Sequence, residues 1–294
     1  MGIVDDIKRS FIKGSSLTQL IYINIGVFIV ISFVAIICFL FTNTLIYNTI
    51  LKFFAVPASL QKLTLKPWTL ITYMFLHEDI WHILFNMLWL YWFGTIFLQI
   101  LDQRKLVAVY LIGGICGAIL YIVSFNVFPA FKGDVNSISI GASASVMAIV
   151  VAIAAYTPDY SINLLLLGRV KIKYIALTIF VLTSFIYFAV NSGGKIAHIG
   201  GAVFGYVYAM KLREGRDLGK GMNRIIDFFA TIFKPRKKLK VTYKKPVNDY
   251  EYNKVKADRQ AEINAILDKI SKGGYDSLTK DEKDTLFRES QNRN

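Results

Sequence analysis

QLIYINIGVFIVISFVAIICFLF, the stretch from Gln19 to Phe41, carries no Lys, Arg, Asp or Glu. About 20 predominantly apolar residues suffice for a helix to cross the hydrocarbon core of a bilayer, where every backbone polar group must be satisfied within the segment. This run has that length. It is too long for a cleaved signal peptide, and no small-residue cleavage site follows it. Working outward, further apolar runs lie at about 80–100, 106–127, 138–156, 171–190 and 197–212, so that the first run is about 20–42 of six. The chain has 294 residues, 54% of them hydrophobic, and a mean hydropathy of +0.46. A soluble domain of this length cannot bury that much apolar surface. The pattern predicts an all-α polytopic membrane protein with a six-transmembrane-helix bundle.

Loop charges orient the bundle. Lys8, Arg9 and Lys13 precede the first span, Arg104 and Lys105 join spans two and three, and Arg169, Lys171 and Lys173 join spans four and five. The alternate connections are poorer, holding Lys132 and Lys195, while Lys52, Lys62 and Lys66 are spread through a long first loop. Cytoplasmic loops carry the excess of Lys and Arg, so both termini are expected in the cytoplasm. The first loop, about 43–79, is half apolar and interrupted by Pro57 and Pro67, which argues against a seventh span. It reads as an interfacial segment or as a hairpin packed on the bundle.

The remaining boundaries follow composition. Residues 1–17 form a cytoplasmic lead and 18–215 the membrane core. Residues 216–248 read as an amphipathic helix and basic linker, and 249–294 as a helical cytoplasmic tail module. The linker holds KPRKKLK at 234–240, after Ile225, Phe228, Phe229 and Ile232. Basic charge beside an amphipathic stretch suits the anionic inner leaflet. The juxtamembrane position favours lipid over nucleic acid, so membrane lipid is the expected partner and no nucleic acid. Gly273-Gly274 is expected to stop one tail helix, and Ser277 to Glu282 to open another. Cys38 and Cys116 fall inside spans one and three and resemble no disulfide or metal framework.

Three motifs keep polar groups at membrane depth, where they are costly unless partnered. His82 and Asn86 are four residues apart and share one helix face, with His77 five residues before them. An Asn amide there can donate to an oxyanion or simply bond a neighbouring helix. Ile140-Gly141-Ala142-Ser143-Ala144-Ser145 places a serine where small residues open a helix. Ser143 there can attack a carbonyl with unpaired N–H groups alongside, or can be a packing serine. Ala197-His198-Ile199-Gly200-Gly201-Ala202-Val203-Phe204-Gly205 puts His198 on the same stripe as Gly201 and Gly205, whose G-x-x-x-G permits close helix contact. A histidine there is a base if its neighbour starts at Ser143, and otherwise a satisfied interhelical side chain. Together the motifs supply nucleophile, base and oxyanion donors. No Asp or Glu lies within the spans, which favours a dyad over a triad. No carboxylate or cysteine completes a zinc site with the histidines, so neither metal nor cofactor is expected.

Residues of about 15–215 resemble the rhomboid family of intramembrane serine proteases. The likeness lies in H-x-x-x-x-H-x-x-x-N (His77, His82, Asn86), G-x-S (Gly141, Ser143) and A-H-x-x-G-x-x-x-G (Ala197 to Gly205). It implies a six-helix rhomboid-like bundle that cleaves transmembrane helices of membrane-protein substrates, here in a bacterial cytoplasmic (inner) membrane. By motif, Ser143 is the nucleophile and His198 the base. His82 and Asn86 contribute to the oxyanion site with the Ser143 N–H, and His77, Gly141, Gly201 and Gly205 support it. The family's usual glycine after the serine is Ala144, whose methyl is expected to narrow the substrate's approach. Its frequent aromatic four residues after the serine is Met147, and its Trp-Arg pair is Trp68-Thr69. A non-proteolytic rhomboid-like protein that binds membrane helices is the alternative. A transporter or channel is disfavoured, because an ion path would need charged or carbonyl-rich interior positions and the spans show none. The tail from Ile263 to Leu286 looks like a motif appended to some bacterial rhomboids, with no chemistry expected of it.

Overall fold

Polar side chains cap several helix starts in this computed structural model, which describes residues 2–134, 136–164, 168–233 and 248–291. Helix α1 (Ile3–Lys13) leads into α2 (Ser16–Leu40), where Ser15 accepts a hydrogen bond from the Thr18 N–H. The first loop then folds as α3 (Thr44–Phe54), strand β1 (Val56–Pro57), α4 (Leu60–Leu65), α5 (Thr69–Thr72) and a 3-10 turn, Tyr73–Phe75. Helices α6 (Ile80–Ile100) and α7 (Gln103–Val127) follow, each capped by an aspartate, Asp79 and Asp102. A short strand β2 (Ile138–Ser139) pairs antiparallel with β1. Helix α8 (Ser143–Tyr156) precedes a hairpin of β3 (Ser161–Leu164) and β4 (Gly168–Lys171). Helices α9 (Ile172–Ser184), α10 (Ser192–Arg213) and α11 (Lys220–Phe233) complete the first of two units, Met1–Lys234.

The six apolar runs thus appear as α2, α6, α7, α8, α9 and α10, with unequal lengths. Among the described residues, α2, α6 and α7 are long and apolar enough to cross a membrane, while α8 and α9 have only 14 and 13 residues. Two expected boundaries are corrected. Residues 138–142 are not helical, because β2 is drawn into pairing with β1 and Gly141 adopts a φ of +125°. Helix α9 stops at Ser184 rather than 190, and Tyr187 and Asn191 take left-handed conformations before α10 begins.

Helix α2 shows why the chain needs lipid. Ile29, Val30, Phe33, Ile36 and Phe39 are all more than half exposed, an apolar face that a water-soluble monomer does not leave uncovered. Its inner face carries Asn24, fully buried, whose Nδ2 donates to the Leu20 carbonyl at 2.8 Å and the Tyr110 hydroxyl at 3.2 Å. That pair ties α2 to α7. Helix α10 packs against α8 through its G-x-x-x-G: side chains at Gly201 and Gly205 would overlap the carbonyl oxygens of Ala144 and Ala148. Helix α11 is held to the start of α7 by Arg104 and Asp227 at 3.2 Å.

The second unit, Pro235–Asn294, contains α12 (Asp249–Gly273) and α13 (Lys280–Gln291). Gly274, with φ of +75°, ends α12. Thr279 and Glu282 form a reciprocal capping box at the start of α13: Thr279 N–H donates to Glu282 at 2.7 Å, and Glu282 N–H to the Thr279 hydroxyl at 3.4 Å. The basic linker expected at 234–248 lies outside the described residues except for Asn248.

Candidate active site

The entry to α8 is fixed from below by Tyr73. Its backbone carbonyl accepts from the Gly141 N–H at 2.9 Å, and its hydroxyl donates to the Gly114 carbonyl of α7 at 2.6 Å. Gly141 is required on two counts. Its φ of +125° is disfavoured for L side chains, and a Cβ there would lie 2.8 Å from both Cε1 and Nε2 of His82. His82 therefore packs on the backbone immediately before Ser143. The first intrahelical bond of α8 runs from the Val146 N–H to the Ala142 carbonyl. The N–H groups ahead of it, including that of Ser143, stand at the open positive end of the helix.

Helix α6 supplies the second wall. Asp79 accepts from the N–H groups of Trp81 at 2.8 Å and His82 at 2.9 Å, fixing the first turn. Asn86 is buried and donates one amide hydrogen to the His82 carbonyl at 2.9 Å. An amide has two such hydrogens, which leaves the other for a ligand. His77 lies behind His82, ring centroids 5.1 Å apart and 68° between planes, and is buried away from the cavity. It supports rather than lines the site.

Helix α10 supplies the third wall. Asn191, in the left-handed region, accepts from the Gly194 N–H at 3.1 Å and starts the helix. Lys195 donates to the carbonyls of Ile186 and Tyr187, holding the segment after α9 against it. One turn on, His198 faces inward. Ser143, His198, His82 and Asn86 all line one cavity of about 380 Å³. No direct hydrogen bond joins Ser143 Oγ to His198 among the described residues; such bonds are often long in unliganded enzymes and tighten around substrate.

Sequence reasoning missed part of this lining: Asp79, Trp89, Thr183, Asn191 and Lys195. Asp79 carried a readable signal, an aspartate directly before an apolar helical run. The other polar members come from the segment around the end of α9, where hydropathy had extended a helix. The departures from the rhomboid pattern also find their places. Ala144 is buried with its methyl toward Gly117 of α7, so it does not narrow the cavity as expected. Met147 does line it. Thr69 is buried with its hydroxyl donating to the Lys66 carbonyl at 2.7 Å. Trp68 is anchored to α3 through Nε1 and the Phe53 carbonyl at 2.9 Å, and Lys66, 5.7 Å from the centre of the Phe53 ring, supplies a cation from elsewhere in the loop. Among the described residues, no three or more His, Cys, Asp or Glu side chains cluster as metal ligands do.

A Rhomboid domain family model matches residues 64–215, and a family of unknown function, DUF6576, matches residues 248–292. RHOMBOID-like protein 12, mitochondrial, of Arabidopsis thaliana is 28% identical over 160 residues, covering 50% of this chain and 47% of that protein. Presenilin-associated rhomboid-like protein, mitochondrial, of Rattus norvegicus is 30% identical over 175 residues, covering 55% and 42%. The chain thus matches less than half the length of either relative. The Rhomboid match takes in just over half of this chain and spans every motif that lines the cavity, and the chain belongs to the rhomboid family.

Proposed function

We propose that this chain is an intramembrane serine endopeptidase that cleaves transmembrane helices of membrane-protein substrates with a Ser143–His198 dyad. The observation that carries the reading is convergence: a serine at an open helix N-terminus, a histidine and two oxyanion donors from three helices share one cavity. His198 takes the proton of the Ser143 hydroxyl as its oxygen bonds to the scissile carbonyl carbon. The oxyanion is held by the Ser143 N–H, His82 and the free amide hydrogen of Asn86. His198 returns the proton to the leaving amine as the peptide C–N bond breaks. A water, deprotonated by His198, then hydrolyses the acyl-enzyme and restores Ser143.

We further propose a bacterial cytoplasmic membrane as the site of insertion, with both termini in the cytoplasm, as the loop charges favour, and the basic tail against the anionic inner leaflet. A test uses the full chain in liposomes with a reporter bearing one cleavable transmembrane helix. Ser143→Ala and His198→Ala should each abolish cleavage and labelling of Ser143 by a fluorophosphonate, while both proteins still insert and fold. Cleavage persisting in both variants would reject the assignment. A wild-type chain that binds the reporter helix but neither cleaves it nor takes the label would be a non-proteolytic helix binder.

A further inference from the structure

A second, larger cavity lies outside the catalytic one. It is a groove of about 640 Å³ between α8, α9 and α10 and shares no lining residue with the first. Its floor and walls are apolar, including Val151, Ala155, Leu177 and Val203. Leu177 and Val203 are more than half exposed, so the groove opens onto the lipid-facing surface. Its other end holds Lys173 and Arg213. There α8 has just ended, α9 begins and α10 ends, and from Val203 to Arg213 the groove follows α10 for about 15 Å. The carboxylates beside this end are Asp159, bonded to Lys171 at 2.8 Å and Lys173 at 3.3 Å, and Glu214, bonded to Lys211 at 2.9 Å. Arg213 forms no ion pair among the described residues, so the end is net positive.

We propose that this groove binds an anionic phospholipid of the surrounding bilayer, with one acyl chain between α9 and α10 and the headgroup phosphate between Lys173 and Arg213. The groove opens onto the lipid-facing surface, where the acyl chains of the leaflet are its standing neighbours, and it ends in cations that match a lipid headgroup. The charge favours an anionic headgroup over a zwitterionic one, each membrane-surface cation contributing about fivefold. The site is independent of the proteolytic reading, although α9 is shared: Ile179 and Thr183 face the catalytic cavity, while Leu177 faces the groove.

The test is native mass spectrometry of the full chain released from nanodiscs of equal phosphatidylglycerol and phosphatidylcholine. The wild type should retain one phosphatidylglycerol in roughly 5- to 30-fold preference, about fivefold from Arg213 alone and up to about 30-fold where Lys173 leaves Asp159 for the phosphate. Lys173→Gln/Arg213→Gln should bring the two lipids near parity. Val203→Trp, at a lipid-exposed position that tolerates bulk, should displace the bound lipid with the charges intact. Equal retention of both lipids by the wild type would overturn the proposal. So would a preference lost in the charge variant but untouched by Val203→Trp, which would assign it to the surface alone. Retention of a second copy or a partner helix in place of lipid would overturn it as well.

Discussion

Gly117→Ala is the perturbation that best separates a built site from a coincidence of motifs. Gly117 lies in the middle of α7, behind both halves of the proposed dyad. A Cβ there would be 2.6 Å from the Ala144 Cβ and 2.8 Å from the Ala197 carbonyl oxygen. These are the residues directly after Ser143 and directly before His198. Ordinary contact begins near 3.4 Å, so α8 and α10 must yield by 0.8 Å and 0.6 Å. Overpacking of this kind costs about 1–3 kcal/mol. A displacement approaching 1 Å at reacting groups costs on the order of 100-fold in rate, so Ser143 labelling by a fluorophosphonate should slow roughly 10- to 100-fold. Thermal unfolding in detergent should report the stability loss. Ala144→Gly removes the nearer of the two clashes, so the double variant should regain part of both quantities but not all, because the Ala197 carbonyl remains. Gly26→Ala on α2, where nothing lies within 4 Å, is the control and should stabilise by about 0.5–1 kcal/mol. A Gly117→Ala protein with wild-type stability and labelling would refute the reasoning. A double variant no better than Gly117→Ala would refute it too.

Asp79→Ala removes the cap of α6 and should cost about 0.5–2 kcal/mol of stability, with slower Ser143 labelling as His82 loosens; Asp79→Asn, which keeps the acceptor, should restore most of both. Tyr73→Phe deletes the bond to the Gly114 carbonyl, which keeps its helical partner within α7, so the loss should be about 0.5–1.5 kcal/mol, read by thermal unfolding. In the second unit, Lys269 first and then the Thr279 N–H hold the Glu282 carboxyl below its ordinary value of 4.5. A depressed carboxylate stabilises the fold fully above the unfolded value and loses that contribution as pH falls through the folded one. The hydrogen-exchange protection factors of α13, corrected for the intrinsic rate, should therefore fall below about pH 4.5 in the wild type, and Glu282→Gln should remove that acid-dependent step.

Which features were legible in the sequence follows from what each signal measures. The i, i+4 spacing of His82 and Asn86 fixed a shared face because α6 is an unbroken helix there. The G-x-x-x-G at Gly201 and Gly205 marked a close contact face, but the pattern could not name α8 as its partner. Hydropathy reads composition, so it carried a span back to 138 and another on to 190. Ile138 is apolar yet lies in a strand, Ile140 is apolar yet not helical, and the apolar Phe185 to Val190 is broken by the left-handed Tyr187. Lys195 was counted only as loop charge, whereas its bonds to the Ile186 and Tyr187 carbonyls make it part of the cavity wall. Ala144 was read as an intrusion into the cavity because sequence gives no direction to its methyl. The glycine that makes room for it, Gly117, is 27 residues away on α7.

Of the two helices that hydropathy overextended, α8 is the one whose shortness matters most. At 14 residues, α8 is about 21 Å long, against a hydrocarbon core of about 30 Å. A 21 Å helix falls about 9 Å short of spanning that core, and the chain must cover the remainder without helical bonds. It does so with the β1–β2 pair and the Gly141 N–H bonded to Tyr73, which satisfy the backbone inside protein rather than lipid. A longer α8 would satisfy its own N–H groups up to the membrane surface and leave none at depth to hold an oxyanion. The same interruption therefore sets the depth of the serine, exposes the positive end of the helix beside it, and gives His82 a glycine backbone to rest on.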